Sequence, residues 1–332
     1  MHYDIFNGDA DGIIALLQLR LAFPIKSTLI TGIKRDIELV KQVNAGPRDT
    51  LTILDISMEK NKQALLSVLS QGASAVYIDH HRAGDIPQSE ALEAHIDLDA
   101  NTCTALIVDK LLAGRYHNWA ITAAYGDNLI DKANQLADAA GLSEQQKQQL
   151  KELGTLINYN GYGASIEELH YHPAELFKKL KQYPCPFDVI SDPNSPYHVL
   201  KKCYQQDLQQ AFVNNDSEAT DTGSQPEPDY QSSCLRLYKL KPGLASRRVS
   251  GVFGNELVYQ KPDSAHAVLT QIPGSDAYVV SIRAPLNNKK GAGEVCSRFE
   301  TGGGREAAGG INLLAEESVE ALINAIEQRW GN

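Results

Sequence analysis

The run Ala73-Ser74-Ala75-Val76-Tyr77 reads as a buried strand, and beyond Ile78 it ends on Asp79-His80-His81. Side chains alternate across a strand and the chain turns at its end, so an acid and two imidazoles there point into the crevice where open α/β sheets do their chemistry. Other β-rich runs end the same way. Residues 3–6 lead into Asn7-Gly8-Asp9-Ala10-Asp11-Gly12, and residues 51–54 stop at Asp55. Between these runs lie helical patterns: Leu16, Leu17, Leu19 and Leu21 before Pro24, and residues 58–71 closed by Gly72. Further strands are expected over 27–31 and 96–98, and helices over 102–113 and 119–125, the last ending at Gly126-Asp127. Strands alternating with helices imply an α/β fold with a mainly parallel, doubly wound sheet in the first 130 residues or so.

Residues 129–191 read as mostly helical, with capping boxes at Ser143…Gln146 and Ser165…Glu168. A helix over 197–213 then runs into 214–233, where Asp216, Glu218, Asp221, Gly223, Pro226, Glu227 and Pro228 leave almost no large apolar residue. That stretch is expected to be a flexible acidic linker. The expected domains are therefore 1–195, a connector over 196–232, and a smaller α/β domain over 233–332 with strands at 235–240, 265–269 and 277–282 and a closing helix at 319–330.

The net charge of −10 is unevenly shared: residues 233–332 hold 12 Lys/Arg against 10 Asp/Glu, the rest 19 against 31. So acidic a chain is a poor binder of long duplex nucleic acid, which needs a broad basic surface, whereas a short phosphorylated ligand needs only a few placed cations. No segment reaches membrane-spanning length, no leader pattern precedes the first strand, and five scattered cysteines suit a reducing compartment, so a cytoplasmic protein is expected. His170 and His172 flank Tyr171 before Pro173 and read as a surface helix start.

Four separate segments thus present acids at strand or helix ends, Asp9 with Asp11, then Asp55, Asp79 and Asp127, and a parallel sheet brings such ends together along one edge. Clustered carboxylates repel unless cations sit between them, and with His80 and His81 they suit Mn²⁺, Mg²⁺ or Zn²⁺. A pair of divalent ions roughly 3.5–4 Å apart could activate water for in-line attack on a phosphate.

These residues resemble the motifs of the DHH phosphoesterases: Asp9-Ala10-Asp11-Gly12, Asp55, Asp79-His80-His81 and Gly126-Asp127. Thr301-Gly302-Gly303-Gly304-Arg305-Glu306-Ala307-Ala308-Gly309-Gly310 is similar to the signature of the DHH-associated C-terminal domain, with Arg305 where relatives usually have His. The resemblance implies a manganese-dependent phosphoesterase, Mg²⁺ being an alternative, with its active site in a cleft between two domains. It implies Asp9 on a first metal, Asp11, His80 and Asp127 on a second, and Asp55 bridging both. Asp79 would orient an imidazole, while His81 and Arg82 would face the substrate phosphate. Many relatives carry a His at the position of Ile5, which leaves Asn7 as a weak ligand of the first metal. Arg283, Gly302, Gly303, Gly304 and Arg305 would bind the nucleotide, and Ala307-Ala308-Gly309 would allow tight helix packing behind the glycines. The expected activity is 3′–5′ hydrolysis of very short RNA, such as the dinucleotide pGpG or nanoRNA, to mononucleotides. Alternatives are a pAp phosphatase, a cyclic dinucleotide phosphodiesterase or a non-catalytic nucleotide sensor; a homodimer is compatible with each.

Overall fold

A computed structural model describes residues 1–212 and 227–331. Two compact units emerge, Met1–Cys203 and Tyr204–Asn332. The first opens β1 (His2–Phe6), α1 (Ala10–Ala22), β2 (Thr28–Ile30), β3 (Thr50–Leu54), α2 (Met58–Ser70), β4 (Ser74–Asp79) and β5 (Leu92–Ile96). It continues through helices α3 (Thr104–Leu111), α4 (His117–Gly126), α5 (Ile130–Ala139), α6 (Glu144–Asn160), α7 (Pro173–Leu180), α8 (Pro186–Ser191) and α9 (Pro196–Phe212). The five strands form one parallel sheet in the order β2-β1-β3-β4-β5. In that order the chain reverses its direction of travel between β1 and β3, so their C-terminal ends flank the crevice that doubly wound sheets offer to ligands. Asp9 and Asp11 follow β1, and Asp55 follows β3.

Apolar side chains such as Ile5, Ile53, Leu51 and Tyr77 pack one core of this unit, with Leu65 and Val68 from α2 against them. The strand expected at 96–98 lies earlier, as β5. Asp97 and Asp99 end it by accepting hydrogen bonds from the backbone amides of Asp99 and Asn101, which is turn chemistry. β5 itself carries Glu93 and His95 because it is the sheet edge, so its pattern is only partly apolar. The Ser143 capping box forms as expected on α6. Ser165 makes no such cap: the segment behind it is a single 3₁₀ turn, Ile166–Glu168, and Glu168 accepts from the Ala164 amide instead.

The second unit contains β6 (Tyr230–Gln231), β7 (Leu235–Leu240), α10 (Leu244–Gln260), β8 (Ala265–Gln271), β9 (Ala277–Arg283), α11 (Ala292–Cys296), β10 (Gly302–Gly304), β11 (Ala308–Ala315) and α12 (Val319–Trp330). Its sheet runs β10-β11-β9-β8-β7-β6, antiparallel except for the β7–β8 pair. Leu235, Leu237, Leu269 and Ile282 build a separate core with Leu322 and Ile326 of α12. The sheet starts at Tyr230, ahead of the domain start expected at 233, and the division between the units falls inside α9. The acidic linker expected through 214–233 lies mostly outside the described residues. The glycine run is not an open loop: Gly302, Gly303 and Gly304 pair with Ile311, Gly310 and Gly309 in a hairpin, and Ala308 begins a strand that packs closely on a helix, where a Cβ on Gly309 would stand 2.7 Å from the Ala292 carbonyl oxygen of α11. The glycines let this hairpin lie directly on α11, since a Cβ on Gly293 would stand 2.6 Å from the Gly304 carbonyl oxygen. No helix among the described residues is long and apolar enough to cross a membrane.

Candidate metal centre

Four side chains from four elements converge at the ends of β1, β3 and β4. The His80 Nε2 atom lies 3.5 Å from Asp55 Oδ1, 3.8 Å from Asp11 Oδ2 and 3.9 Å from Asp127 Oδ2. The other ring nitrogen, Nδ1, donates to the Thr102 carbonyl at 3.0 Å. A carbonyl only accepts, so this bond places a proton on Nδ1, and the neutral ring then turns the lone pair of Nε2 to the three carboxylates. Asp11 is fixed as firmly, its two oxygens accepting from the Ala105 and Thr104 amides at 2.7 Å each, at the N-terminus of α3. Thr104 also donates its hydroxyl to Asp55 at 3.2 Å. Asp55 itself has φ +58°, a left-handed conformation rare outside glycine.

The electrostatics of the cluster would suit a cation. Burial raises the Asp55 carboxyl well above its ordinary pKa, and the charges of Asp11, Asp9, Asp79 and Asp127 add to the rise. Asp127, the C-terminal cap of α4, is raised as well, first by burial and then by Asp11 and Asp9, against the opposing charge of Lys34 and, when its ring is protonated, of His80. A bound divalent ion would relieve this repulsion, and three carboxylates with one neutral imidazole form a donor set that fits Mn²⁺ or Mg²⁺, the imidazole also suiting Zn²⁺.

Asp79 is fully buried, and the imidazole it holds is that of His81, whose Nδ1 donates to Asp79 Oδ1 at 2.7 Å. His80 takes its orientation from Thr102. The two rings stand edge to face, 4.3 Å between centroids. Asp55, His80 and His81 form one group with spacing fit for a metal; Asp11, His80 and Asp127 form another.

Asp9 and Asn7 belong to neither group, although the Asp9 carboxyl reaches the side chain of Asp55. Asp9 Oδ1 caps α1 by accepting from the Asp11 and Gly12 amides, and Oδ2 accepts from Lys34 Nζ at 2.6 Å. Burial works to raise the Asp9 pKa, yet Lys34 prevails and holds it at about 2. Asn7 accepts from the Asp9 amide and donates to the Lys34 carbonyl. Arg82 is exposed. His172 caps α7, and His170 meets the Tyr159 hydroxyl at 2.6 Å, so both serve structure.

In the second unit, Arg283 sits opposite Ala308 in the β9–β11 pairing, next to the hairpin whose turn carries Arg305. Its guanidinium is half-buried and donates to Asn255 Oδ1 at 2.6 Å, Ser281 Oγ at 2.9 Å and the Ile282 carbonyl at 3.1 Å. Lys34, Thr102, Thr104 and Asn255 escape a reading of the sequence. Only the threonines leave a trace there, as polar residues where a helix begins.

No family model and no curated protein matches this sequence. Solved structures do match. The chain is similar over its whole length to the pGpG-specific phosphodiesterase PggH from Vibrio cholerae, with TM-score 0.55, 14% identity, and 100% and 99% of the two chains covered. It is similar to the exonuclease RecJ bound to manganese, with TM-score 0.51 and 14% identity, covering 100% of this chain and 90% of that one. RecJ from Thermus thermophilus in complex with Mn²⁺ gives TM-score 0.52 and 15% identity over 99% of this chain, which spans 52% of that length. At such identities the likeness is one of fold, the two-domain fold of the DHH phosphoesterases.

Proposed function

We propose that this chain is a divalent-metal-dependent phosphodiesterase that hydrolyses very short oligoribonucleotides, dinucleotides such as pGpG above all, to mononucleotides in the cytoplasm. The observation that carries the proposal is the convergence of Asp11, Asp55 and Asp127 on the lone pair of a pre-oriented His80, in a fold shared with a pGpG phosphodiesterase. Those four residues would hold the ion, Mn²⁺ in the first place and Mg²⁺ as the alternative. A divalent cation there supplies Lewis acidity, promoting attack by water and offsetting charge on the phosphate.

The protein's own groups do the rest. Thr102 and Thr104 hold His80 and Asp55 in place through hydrogen bonds. In its protonated form His81 would donate Nδ1–H to Asp79 and pass its second proton, on Nε2, to the leaving oxygen, returning to the neutral ring. Arg283, set by Asn255 and Ser281, and Arg305 on the glycine hairpin bind the nucleotide's phosphate; a guanidinium does this in a bidentate manner.

Turnover with Mn²⁺ on pGpG, pApA, a 5-mer, a 20-mer, pAp and a cyclic dinucleotide tests the proposal. The dinucleotides should be cleaved fastest. Fastest cleavage of the 20-mer, of pAp or of the cyclic dinucleotide overturns the substrate assignment, and tight binding of every ligand without turnover at saturating Mn²⁺ identifies a sensor.

A further inference from the structure

The side of the cluster nearest Asp9 is already neutralised by the protein. Lys34 Nζ bonds Asp9 Oδ2 at 2.6 Å and the buried Asn158 Oδ1 at 3.1 Å. Its backbone is held at both ends: the amide donates to the Gly161 carbonyl at 3.0 Å, and the carbonyl accepts from Asn7 Nδ2 at 3.2 Å. The Tyr162 ring lies 5.6 Å from the ammonium, and the side chain is only 28% exposed. A surface lysine exploring solvent has none of these restraints.

Asp9 for its part has both oxygens engaged, one with the start of α1 and one with Lys34, and its carboxyl also meets the Asp55 side chain. A divalent ion bound to Oδ2 at the usual ~2.1 Å would sit within a few ångströms of the ammonium, a strongly repulsive placement in a buried site. The remaining donors, meanwhile, point to one position. Both groups with metal-binding spacing among the described residues depend on His80. Its Nδ1 is spent on Thr102, so a single lone pair serves both groups.

We propose that the Lys34 ammonium is a built-in cation of this centre, standing beside Asp9 where a second divalent ion would otherwise bind, so that Asp11, Asp55, His80 and Asp127 take up one ion. The proposal rests on reading that cluster as a metal site, and it replaces the pair of ions expected from the sequence. Asp9 is then the counter-ion of Lys34 and sets the charge of the centre without ligating metal.

Titration of the full chain with Mn²⁺, followed by calorimetry and by electron paramagnetic resonance, tests this, because resonance separates isolated from spin-coupled Mn²⁺. The wild type should bind one ion per chain with an isolated-ion spectrum. Lys34→Met should bind two, spin-coupled, and Lys34→Arg one. Asp9→Asn added to Lys34→Met should return the count to one. Circular dichroism confirms that each variant is folded. Two ions on the wild type, or one on a folded Lys34→Met, overturns the inference while leaving the metal site standing. No ion on the wild type strikes the reading of the cluster itself, and this inference with it.

Discussion

His80 and His81 are sequence neighbours with different surroundings, and under the proposed function the difference gives them different work. His80 offers a lone pair to three carboxylates, so His80→Ala should abolish Mn²⁺ binding in a calorimetric titration. His81 is tied to Asp79, and His81→Gln should keep the ion while turnover falls by about 10²–10⁴-fold, the usual range for a lost proton donor. Loss of ion binding on that substitution would place His81 among the ligands. A second residue-level feature lies in the middle of β1. Asp4 is fully buried and accepts from Arg20, at 2.6 and 2.9 Å, and from Ser27 at 2.6 Å. Burial works to raise its pKa, but the hydrogen bonds of Arg20 and His2, the Arg20 charge and Ser27 lower it from 3.8 to about 2. The folded state therefore holds fewer protons than the unfolded chain across that interval. Its contribution, about 2 kcal/mol, is fully present above roughly pH 4 and is lost as pH falls through about 2. Asp4→Asn strands the Arg20 charge and should cost about 3–5 kcal/mol in urea melts at pH 7, with a flatter acid slope below about pH 4. At this scale the carboxylates were legible because each follows an apolar run. Lys34 was not, because it comes from an irregular loop and its partner lies 25 positions away in sequence.

Elements set these residues through a few close backbone contacts. α4 delivers Asp127, and α4 crosses α6 where Gly126 faces Gly154. A Cβ on Gly126 would stand 2.6 Å from Ala10 Cβ and 2.8 Å from the Gly154 carbonyl oxygen, and one on Gly154 2.9 Å from the Gly126 amide nitrogen. These neighbours are backbone atoms or a Cβ, which cannot rotate away as the end of a long side chain can. Gly154→Ala should destabilise the fold by about 1–3 kcal/mol in thermal or urea unfolding and, by displacing Asp127, weaken Mn²⁺ binding. Unchanged Mn²⁺ affinity in the Gly154→Ala protein would show that α4 absorbs the strain away from its C-terminus. Parallel strands and their helices could be read from sequence since both faces of such a sheet are apolar. α10 could not, because Ser246, Arg247, Arg248, Gly251 and Gly254 interrupt its apolar spacing. The glycine run gave no sign of its hairpin, glycine having no side chain whose alternation reveals a strand.

Across the whole molecule, the two units have separate cores. Leu269 is fully buried in the core of the second unit, and Leu269→Ala should cost about 2–5 kcal/mol there. Every residue assigned to the ion lies in the first unit, so the variant's Mn²⁺ affinity should match the wild type in calorimetry. A large loss of affinity would mean that the ion's binding depends on the second unit. The two-unit division was legible from the charge asymmetry and the acidic stretch, since both are compositional. Its position inside α9 was not, because a continuous helix has no compositional seam.

The carboxylate of Asp11 is at once a candidate ligand and the acceptor for the two amides that open α3. An ion drawing electron density from that carboxylate must weaken its hold on both N–H groups, so the state of the centre is written into the backbone of a helix. The Thr104 and Ala105 amide resonances should therefore move when the protein is titrated with diamagnetic Mg²⁺. They form a native spectroscopic reporter of occupancy that needs no label and no turnover, and their indifference to the ion would remove Asp11 from the ligand set.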